Sequence, residues 1–89
     1  MTLKDVINST KSCEYRNDEI VVASDGTISW YYYGTLIARY EHEEIEFFKL
    51  GFSTSTSKRH ALIALRYQVY NEYKAARRCQ LNKIRFIVG

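Results

Sequence analysis

The sequence predicts an α+β fold, an antiparallel β-meander of about four strands with one long helix on one face. A period of two runs through residues 19–50, and a period of three to four follows in residues 57–78. A short N-terminal helix and a final edge strand complete the predicted order α-β-β-β-β-α-β. With 89 residues, the chain has room for a single domain, residues 1–89.

The chain opens with a helix-start signal. Thr2 followed by Asp5 resembles a capping box in front of an apolar pattern, so residues 2–9 are predicted to form a helix of about two turns. Residues 10–18 are polar and without a period, which indicates a loop.

The meander follows from alternation between apolar and polar positions. Asp25-Gly26 supplies the positive φ of a tight hairpin turn, and Trp30 is expected on the face opposite to Tyr31 and Tyr33. Such a sheet leaves one face to be covered by something else. The predicted strands are residues 19–23, 28–33, 36–41 and 44–50.

The long helix is predicted over residues 57–78 and would be roughly 30 Å long, with a cap from Ser55, Thr56 or Ser57. One face is expected to be buried, and the other is mostly basic. The buried face comprises Leu62, Leu65, Val69, Tyr73 and Ala76. The second face comprises Arg59, Ile63, Arg66, Tyr70, Lys74 and Arg77.

The last strand, residues 83–89, alternates apolar and polar positions and is predicted at a sheet edge. It pairs either within the chain or with a second copy, so a homodimer stays open as an alternative. The sequence alone does not decide between them.

Charge is divided unevenly along the chain. Residues 1–50 carry five cationic and nine acidic residues, whereas residues 51–89 carry eight cations against Glu72 alone. This asymmetry indicates an acidic partner for the second half, unless the fold brings the two halves together.

Cysteine usage and hydropathy indicate the compartment. Cys13 and Cys79 match no metal or redox spacing, which favours free thiols over a Cys13–Cys79 disulfide. The start of the chain lacks the apolar run of a signal peptide, and no apolar segment approaches the roughly 20 residues of a membrane span. We expect a soluble cytoplasmic protein that does not bind a membrane.

Few residues point to catalysis. His42 lies among Glu41, Glu43 and Glu44, but a metal site needs three or four converging ligands, and a polar surface turn is the commoner explanation. No nucleophile elbow or phosphate-cradling glycine loop is present. We therefore expect no catalytic residue, no metal and no cofactor.

Two binding sites are predicted, and most of their residues lie in the second half of the chain. The helix start, with its N–H groups, hydroxyls and cations, would hold a phosphate, although a redundant helix cap explains it equally well. Its residues are Ser55, Thr56, Ser57, Lys58, Arg59 and His60. The basic helix face and the open face of the sheet would contact a partner, against the alternatives of a solvated stripe and cross-strand pairing. Those residues are Arg59, Arg66, Tyr70, Lys74, Arg77, Tyr31 and Tyr33.

Residues 31–65 resemble a pattern found in small proteins of tailed bacteriophages. In that family a Tyr/His-Gly/Asn turn precedes an Ile-Ala strand, and a Gly-aromatic-x-Thr-x-Thr-Thr segment opens a helix. The resemblance implies a phage-encoded protein that acts on host or defence machinery by binding. The matching positions are Tyr33, Gly34, Ile37, Ala38, Gly51, Phe52, Thr54, Thr56 and Ser57.

Residues 51–65 also resemble the start of the last helix of a double-stranded-RNA-binding domain, through Ser57-Lys58-Arg59-x-Ala61. In that family a lysine pair at this place reaches phosphates across the major groove. This chain has Leu62 where the family usually has a further lysine.

Three hypotheses follow. The first is a non-enzymatic phage-type protein that inhibits or redirects a host or defence-system protein or nucleoprotein with an acidic surface, as anti-CRISPR proteins do, in the host cytoplasm. The second is a nucleic-acid-binding module. The third, an enzyme, would need a cleft where His42 or His60 meets a carboxylate or thiol.

Overall fold

A computed structural model of the protein describes residues 1–48, 54–77 and 83–88, which form three helices and six strands. The α+β class is confirmed, but the sheet has more strands than the four or so of the predicted meander, and the helical segment is divided. The elements are α1 (Leu3–Ile7), β1 (Cys13–Tyr15), β2 (Asp18–Val22), β3 (Ile28–Tyr32), β4 (Thr35–Glu41), β5 (Glu44–Phe48), α2 (Thr54–Arg66), α3 (Tyr70–Ala76) and β6 (Lys83–Ile87).

Helix α1 begins with the predicted capping box. The Thr2 hydroxyl accepts the Asp5 N–H at 3.3 Å, and the Asp5 carboxylate accepts the Thr2 N–H at 2.8 Å. The hydrogen bond from the Thr2 backbone lowers the pKa of the Asp5 carboxyl. Val6 and Ile7 are buried, so this short helix is held by its apolar side as well as by its cap.

The sheet runs β1-β2-β3-β4-β5-β6, and every neighbouring pair is antiparallel. Strand β1 corrects the predicted loop over residues 10–18. It is only three residues long, too short for a period of two to show, and it forms because Cys13 and Tyr15 pack against the core while Cys13 pairs with Ile20.

The hairpin turns are tight. Gly26 has φ 93°, as its predicted turn requires. Two further loops have two residues each with positive φ, Tyr33-Gly34 at 52° and 75° and His42-Glu43 at 52° and 61°. Tyr33 therefore lies in the turn after β3, which corrects its predicted place in the strand over residues 28–33.

Alternation along the strands separates a core face from an open face. Trp30, Phe47 and Ile84 are buried against the helices, and each alternates with a more exposed neighbour along its strand. The pairing register of β3 with β4 shifts between Trp30 and Tyr31, which marks a β-bulge, and Ile37 and Ala38 are both buried beside it. The open face carries the alternate residues, among them Tyr31.

The predicted single helix is wrong. Helix α2 ends at Arg66 because the chain reverses into the left-handed region at Gln68, φ 59°. The Val69 N–H donates to the Ala64 carbonyl at 2.9 Å, and the Gln68 N–H donates to the Leu65 carbonyl at 3.2 Å. This hydrogen-bond pattern is a Schellman motif, and α3 starts directly after it.

The break changes which side chains face the sheet. Ile63 was predicted on the basic face but is 0% exposed, and Leu65 was predicted in the core but is 56% exposed. Val69 and Tyr73 of the predicted apolar face are buried. The turn rotates α3 relative to α2. The two helices therefore bury different faces, whereas the sequence pattern predicted one continuous apolar face.

Strand β6 pairs with β5 of the same chain, from Glu44 with Ile87 to Phe48 with Lys83. Its predicted place at a sheet edge is confirmed. The predicted ends of the fourth strand (residues 49–50), of the helix (residue 78) and of the last strand (residue 89) lie outside the described residues, as do Gly51, Phe52 and Cys79.

Gln68→Gly tests the break. Glycine carries no Cβ penalty at positive φ, so we expect the free energy of unfolding, measured by urea denaturation, to rise by about 0.5–1 kcal/mol. The control Gln68→Ala should stay within about 0.5 kcal/mol of the parent chain. A continuous helix would give the opposite sign, because glycine in a helix interior costs about 1 kcal/mol relative to alanine.

Candidate functional site

Arg59 links α2 to the start of β2. Its Nε and Nη2 donate to the two carboxylate oxygens of Asp18, the second at 3.0 Å, and its Nη1 donates to the Ser55 carbonyl at 2.9 Å. The hydrogen bond to Asp18 raises the pKa of the Arg59 guanidinium. Asp18 is 6% exposed, so this bidentate pair is largely removed from water.

The same guanidinium lies over an aromatic ring. Its central carbon is 3.8 Å from the centroid of the Tyr32 ring, and the Tyr33 ring packs edge-on against Tyr32 at 4.7 Å. The Tyr33 N–H also donates to the Asn17 carbonyl at 2.8 Å. We call the group Asp18, Tyr32, Tyr33 and Arg59 the Tyr33 corner.

Tyr33 is the exposed member of this corner. Its side chain is 67% exposed although its backbone, at φ 52°, lies where a bulky residue is rare. Asparagine or glycine would adopt this conformation at lower cost. An aromatic ring held at the surface against a backbone preference is a candidate contact for a partner.

Arg66, the second predicted contact residue, is used inside the chain. Its Nη1 donates to the carbonyls of Ile7 and Ser9 at 2.9 and 3.0 Å, and its guanidinium lies 5.6 Å from the Trp30 ring. It therefore supplies hydrogen bonds to the carbonyl end of α1, where the Ile7 carbonyl also accepts the Trp30 Nε1–H at 3.1 Å. Arg59 and Arg66 join segments of the fold, which differs from the outward role that the sequence predicts.

The predicted phosphate site is divided by burial. Helix α2 begins at Thr54, so Ser55, Thr56 and Ser57 are helical, and Thr56 and Ser57 are buried. Ser55 and Lys58 are exposed. The cluster of hydroxyls predicted at the helix start therefore does not face solvent as one surface.

His60 lies in the core at 0% exposure. Its Nε2 is 2.8 Å from the Ile37 carbonyl, and its Nδ1 is 3.1 Å from the Tyr73 hydroxyl. Because a carbonyl only accepts, Nε2 carries the proton and, in the neutral ring, Nδ1 accepts from Tyr73. Burial raises the pKa of the Tyr73 hydroxyl, which keeps that donor protonated. His60 was predicted to contact a phosphate, but the structure encloses its ring in the core.

The other predicted contact residues lie at the surface. Tyr70, Lys74 and Arg77 are exposed on α3 or directly after it. Tyr31 is partly exposed on the open face of the sheet, paired between Glu19 and Leu36. They are not part of the Tyr33 corner.

His42 is exposed in its predicted turn, with Nε2 3.4 Å from a Glu41 carboxylate oxygen. The described residues bring together no group of three or more His, Cys, Asp or Glu side chains that could hold a metal ion. Within the same part of the chain, no helix has the length and apolar character needed to cross a bilayer.

The sequence pattern predicted no role for Tyr67. It stacks on Tyr40 at 4.8 Å and packs edge-on against Trp30 at 5.9 Å, under the break between α2 and α3. Its hydroxyl oxygen is buried and forms no hydrogen bond with any described residue. Burial raises the pKa of this hydroxyl to about 12. The ring also lines a depression of about 450 Å³.

Comparison of the chain with protein-family models, with curated proteins and with solved structures finds no match. The geometry of the described residues therefore carries the functional argument.

Arg59→Ala tests the buried ion pair. We expect the free energy of unfolding to fall by about 3 kcal/mol, because Asp18 is left buried without its cation. Arg59→Lys should recover only part of this loss, since an ammonium group cannot reproduce the bidentate contact. Urea denaturation measures both. The control Lys58→Ala, at the neighbouring exposed position, should lie within about 0.5 kcal/mol of the parent. If Arg59→Ala also lost no more than about 0.5 kcal/mol, the ion pair would not stabilise the fold as proposed.

Tyr67→Phe removes a buried hydroxyl that has no described partner. We expect stability at pH 7 to stay equal or to rise by about 1 kcal/mol. Between about pH 10 and 12 the unfolded chain loses the Tyr67 proton while the folded chain keeps it, so the stability of the parent falls as pH rises. The variant should fall less steeply.

Urea denaturation at several pH values measures both effects. Tyr70→Phe, on the exposed side of α3, is the control and should follow the parent. A Tyr67→Phe variant that loses more than about 1 kcal/mol at pH 7 would indicate that the hydroxyl does have a hydrogen-bond partner.

Proposed function

We propose that the chain is a small binding protein without enzymatic activity, of the phage type, that inhibits or redirects a host macromolecule by covering part of its surface. Its partner is a host or defence-system protein or nucleoprotein, met in the host cytoplasm. The observation that carries this proposal is Tyr33, a 67% exposed ring at a backbone conformation that disfavours it.

The Tyr33 corner has the properties of a binding hot spot. Tyrosine contributes a large contact area for little loss of side-chain entropy and is enriched at interface centres. Here the ring packs against Tyr32, which is in turn fixed under Arg59 and Asp18. A side chain supported in this way loses little freedom when a partner covers it.

Exposed cations supply the preference for an acidic partner. Lys58 on α2 and Lys74 on α3 are exposed, and the first turn of α2 contains no acidic residue. Glu72 is the acid of α3. Charges of this kind mainly raise the association rate and select the partner, while the buried contact supplies the affinity.

The histidines favour a binding protein over an enzyme. His60 uses both ring nitrogens inside the core, so it is not placed to exchange a proton with a substrate. His42 stands in an exposed turn beside Glu41. A contact protein needs neither of them for chemistry.

The alternative is a nucleic-acid-binding module. Ser55 and Lys58 are exposed near the start of α2, where helix N–H groups favour an anion. The resemblance to the last helix of a double-stranded-RNA-binding domain covers the same segment. Fewer of the predicted residues are available to contact a phosphate, because Thr56, Ser57 and His60 are buried.

Tyr33→Asn tests the proposed contact. Asparagine suits the positive φ of this turn, so the free energy of unfolding should rise by up to about 1 kcal/mol. Binding should fall by about tenfold or more, because the aromatic contact is lost. Affinity purification from bacterial lysate with and without nuclease identifies the partner, and titration with the purified partner measures affinity.

The matched control is Val21→Ala, a partly exposed apolar residue on the open face of β2, which should bind as the parent does. Equal affinity of the parent and Tyr33→Asn would overturn the proposed contact. Capture that depends on nucleic acid, with log affinity falling linearly in log salt by about 0.9 per phosphate, would favour the alternative.

A further inference from the structure

Among the described residues, strand β6 pairs with another strand on one side only. The Val88 N–H donates to the Glu43 carbonyl at 2.7 Å. Antiparallel ladders alternate, so Ile84 and Phe86 also direct their backbone groups towards β5. The N–H and C=O groups of Lys83, Arg85 and Ile87 therefore point away from the sheet. No strand in the described part of the chain pairs with that side.

The two sheet edges differ in how they are protected. Strand β1 has three residues, whereas β6 has five in an unbroken register. Charged side chains on an edge usually discourage pairing. On β6, however, Lys83 lies 3.3 Å from a Glu46 oxygen and Arg85 lies 3.6 Å from a Glu44 oxygen. Both cations of this edge are thereby paired with acids of the same chain, which reduces the repulsion that would guard it.

An apolar side chain stands beside these pairs. Ile87 is 80% exposed, more than any other large hydrophobic residue that the structure describes. It is on the open face of the sheet, directly opposite Glu44 in the register with β5. An added strand would cover it.

We propose that β6 pairs antiparallel with β6 of a second copy of this chain, so that the two sheets become one continuous sheet across a two-fold axis. Phe86 lies at the centre of the pairing. The edge carries what a second copy needs, free backbone groups together with an exposed isoleucine and neutralised charges.

Charge complementarity selects this register. Centring the pairing on Arg85 would place two arginines directly opposite each other, which is destabilising. Centring it on Phe86 places Arg85 opposite Ile87 of the second copy. Both registers satisfy the outward-pointing backbone groups, so the side chains decide between them.

The Phe86-centred register also places each arginine beside the isoleucine of the other copy. Along one row of the open face, Glu46 is followed by Arg85 of the same copy, then by Ile87 and Glu44 of the second copy. Each arginine then lies between Glu46 of its own copy and Ile87 of the second copy, which it covers with its aliphatic stem. On the helix side, the two Phe86 residues form a close pair without hydrogen bonds, with Cα atoms about 4.5 Å apart.

Sedimentation equilibrium from about 10 to about 500 µM tests the dimer, with a dissociation constant expected in this range. Ile87→Pro removes an outward N–H and leaves the in-chain ladder to β5 intact. Ile87→Lys places a charge opposite Arg85 of the second copy. Both variants should weaken the dimer at least tenfold, whereas Val21→Lys should dimerise as the parent does.

A parent chain that stays monomeric at about 500 µM would overturn the proposal. So would Ile87→Lys dimerising as the parent does. Circular dichroism checks folding, and if Ile87→Pro fails to fold, Ile87→Lys decides alone because its position is exposed. Neither variant alters the Tyr33 corner, so partner capture through Tyr33 is a separate outcome.

Cysteine cross-linking tests the register, in chains carrying Cys13→Ser and Cys79→Ser. Arg85→Cys and Ile87→Cys chains are mixed and oxidised. Opposite positions with Cα atoms about 5.5 Å apart can form a disulfide. The Phe86-centred register predicts cross-links between unlike chains. Cross-links of Arg85→Cys with itself would instead support pairing centred on Arg85 and would overturn the proposed register.

Discussion

The turn at Gln68 is the constraint on which the rest of the fold depends. A straight helix presents one stripe to a sheet, and His60 and Tyr73 are thirteen positions apart, about 140° around a helix with about 100° per residue, so they cannot both lie on that stripe. Both are nevertheless buried. The left-handed residue between them re-aims α3, so that Tyr73 contacts both His60 of α2 and Phe47 of the sheet. The positive φ at Gln68 thus allows two differently oriented helices to cover the sheet, which one straight helix would cover only in part.

The two arginines of α2 show why a basic stripe is an uncertain guide to a basic surface. Arg59 holds Asp18 and Tyr32, and Arg66 holds the carbonyls at the end of α1. Both connect the cationic half of the chain to the acidic half. The charge asymmetry therefore contributes to folding as well as to any attraction for a partner, and the cations left for recognition are fewer than the sequence indicates.

Features that depend on neighbouring residues could be predicted, and features that depend on distant ones could not. The capping box at Thr2 and the turn at Gly26 are local, and the alternation that buries Ile45 and Phe47 is a pattern of one strand. The break at Gln68 has no glycine or proline to announce it, and its cause is burial on both sides. For the candidate site, alternation predicted that Tyr33 is exposed, but the ring lies in a turn after the strand. The fixation of its neighbour Tyr32 by Arg59 and Asp18 joins three separate segments, which no local pattern indicates.

The meander has a consequence for how the chain assembles. From β1 to β5 each strand lies beside the one that precedes it in the sequence, joined by short turns, so each step encloses little chain. The pairing of β5 with β6 is different, because it encloses the whole helical segment. The loss of chain entropy on loop closure is therefore largest for this one pairing. Until β6 pairs, β5 is itself the unpaired edge strand of the sheet.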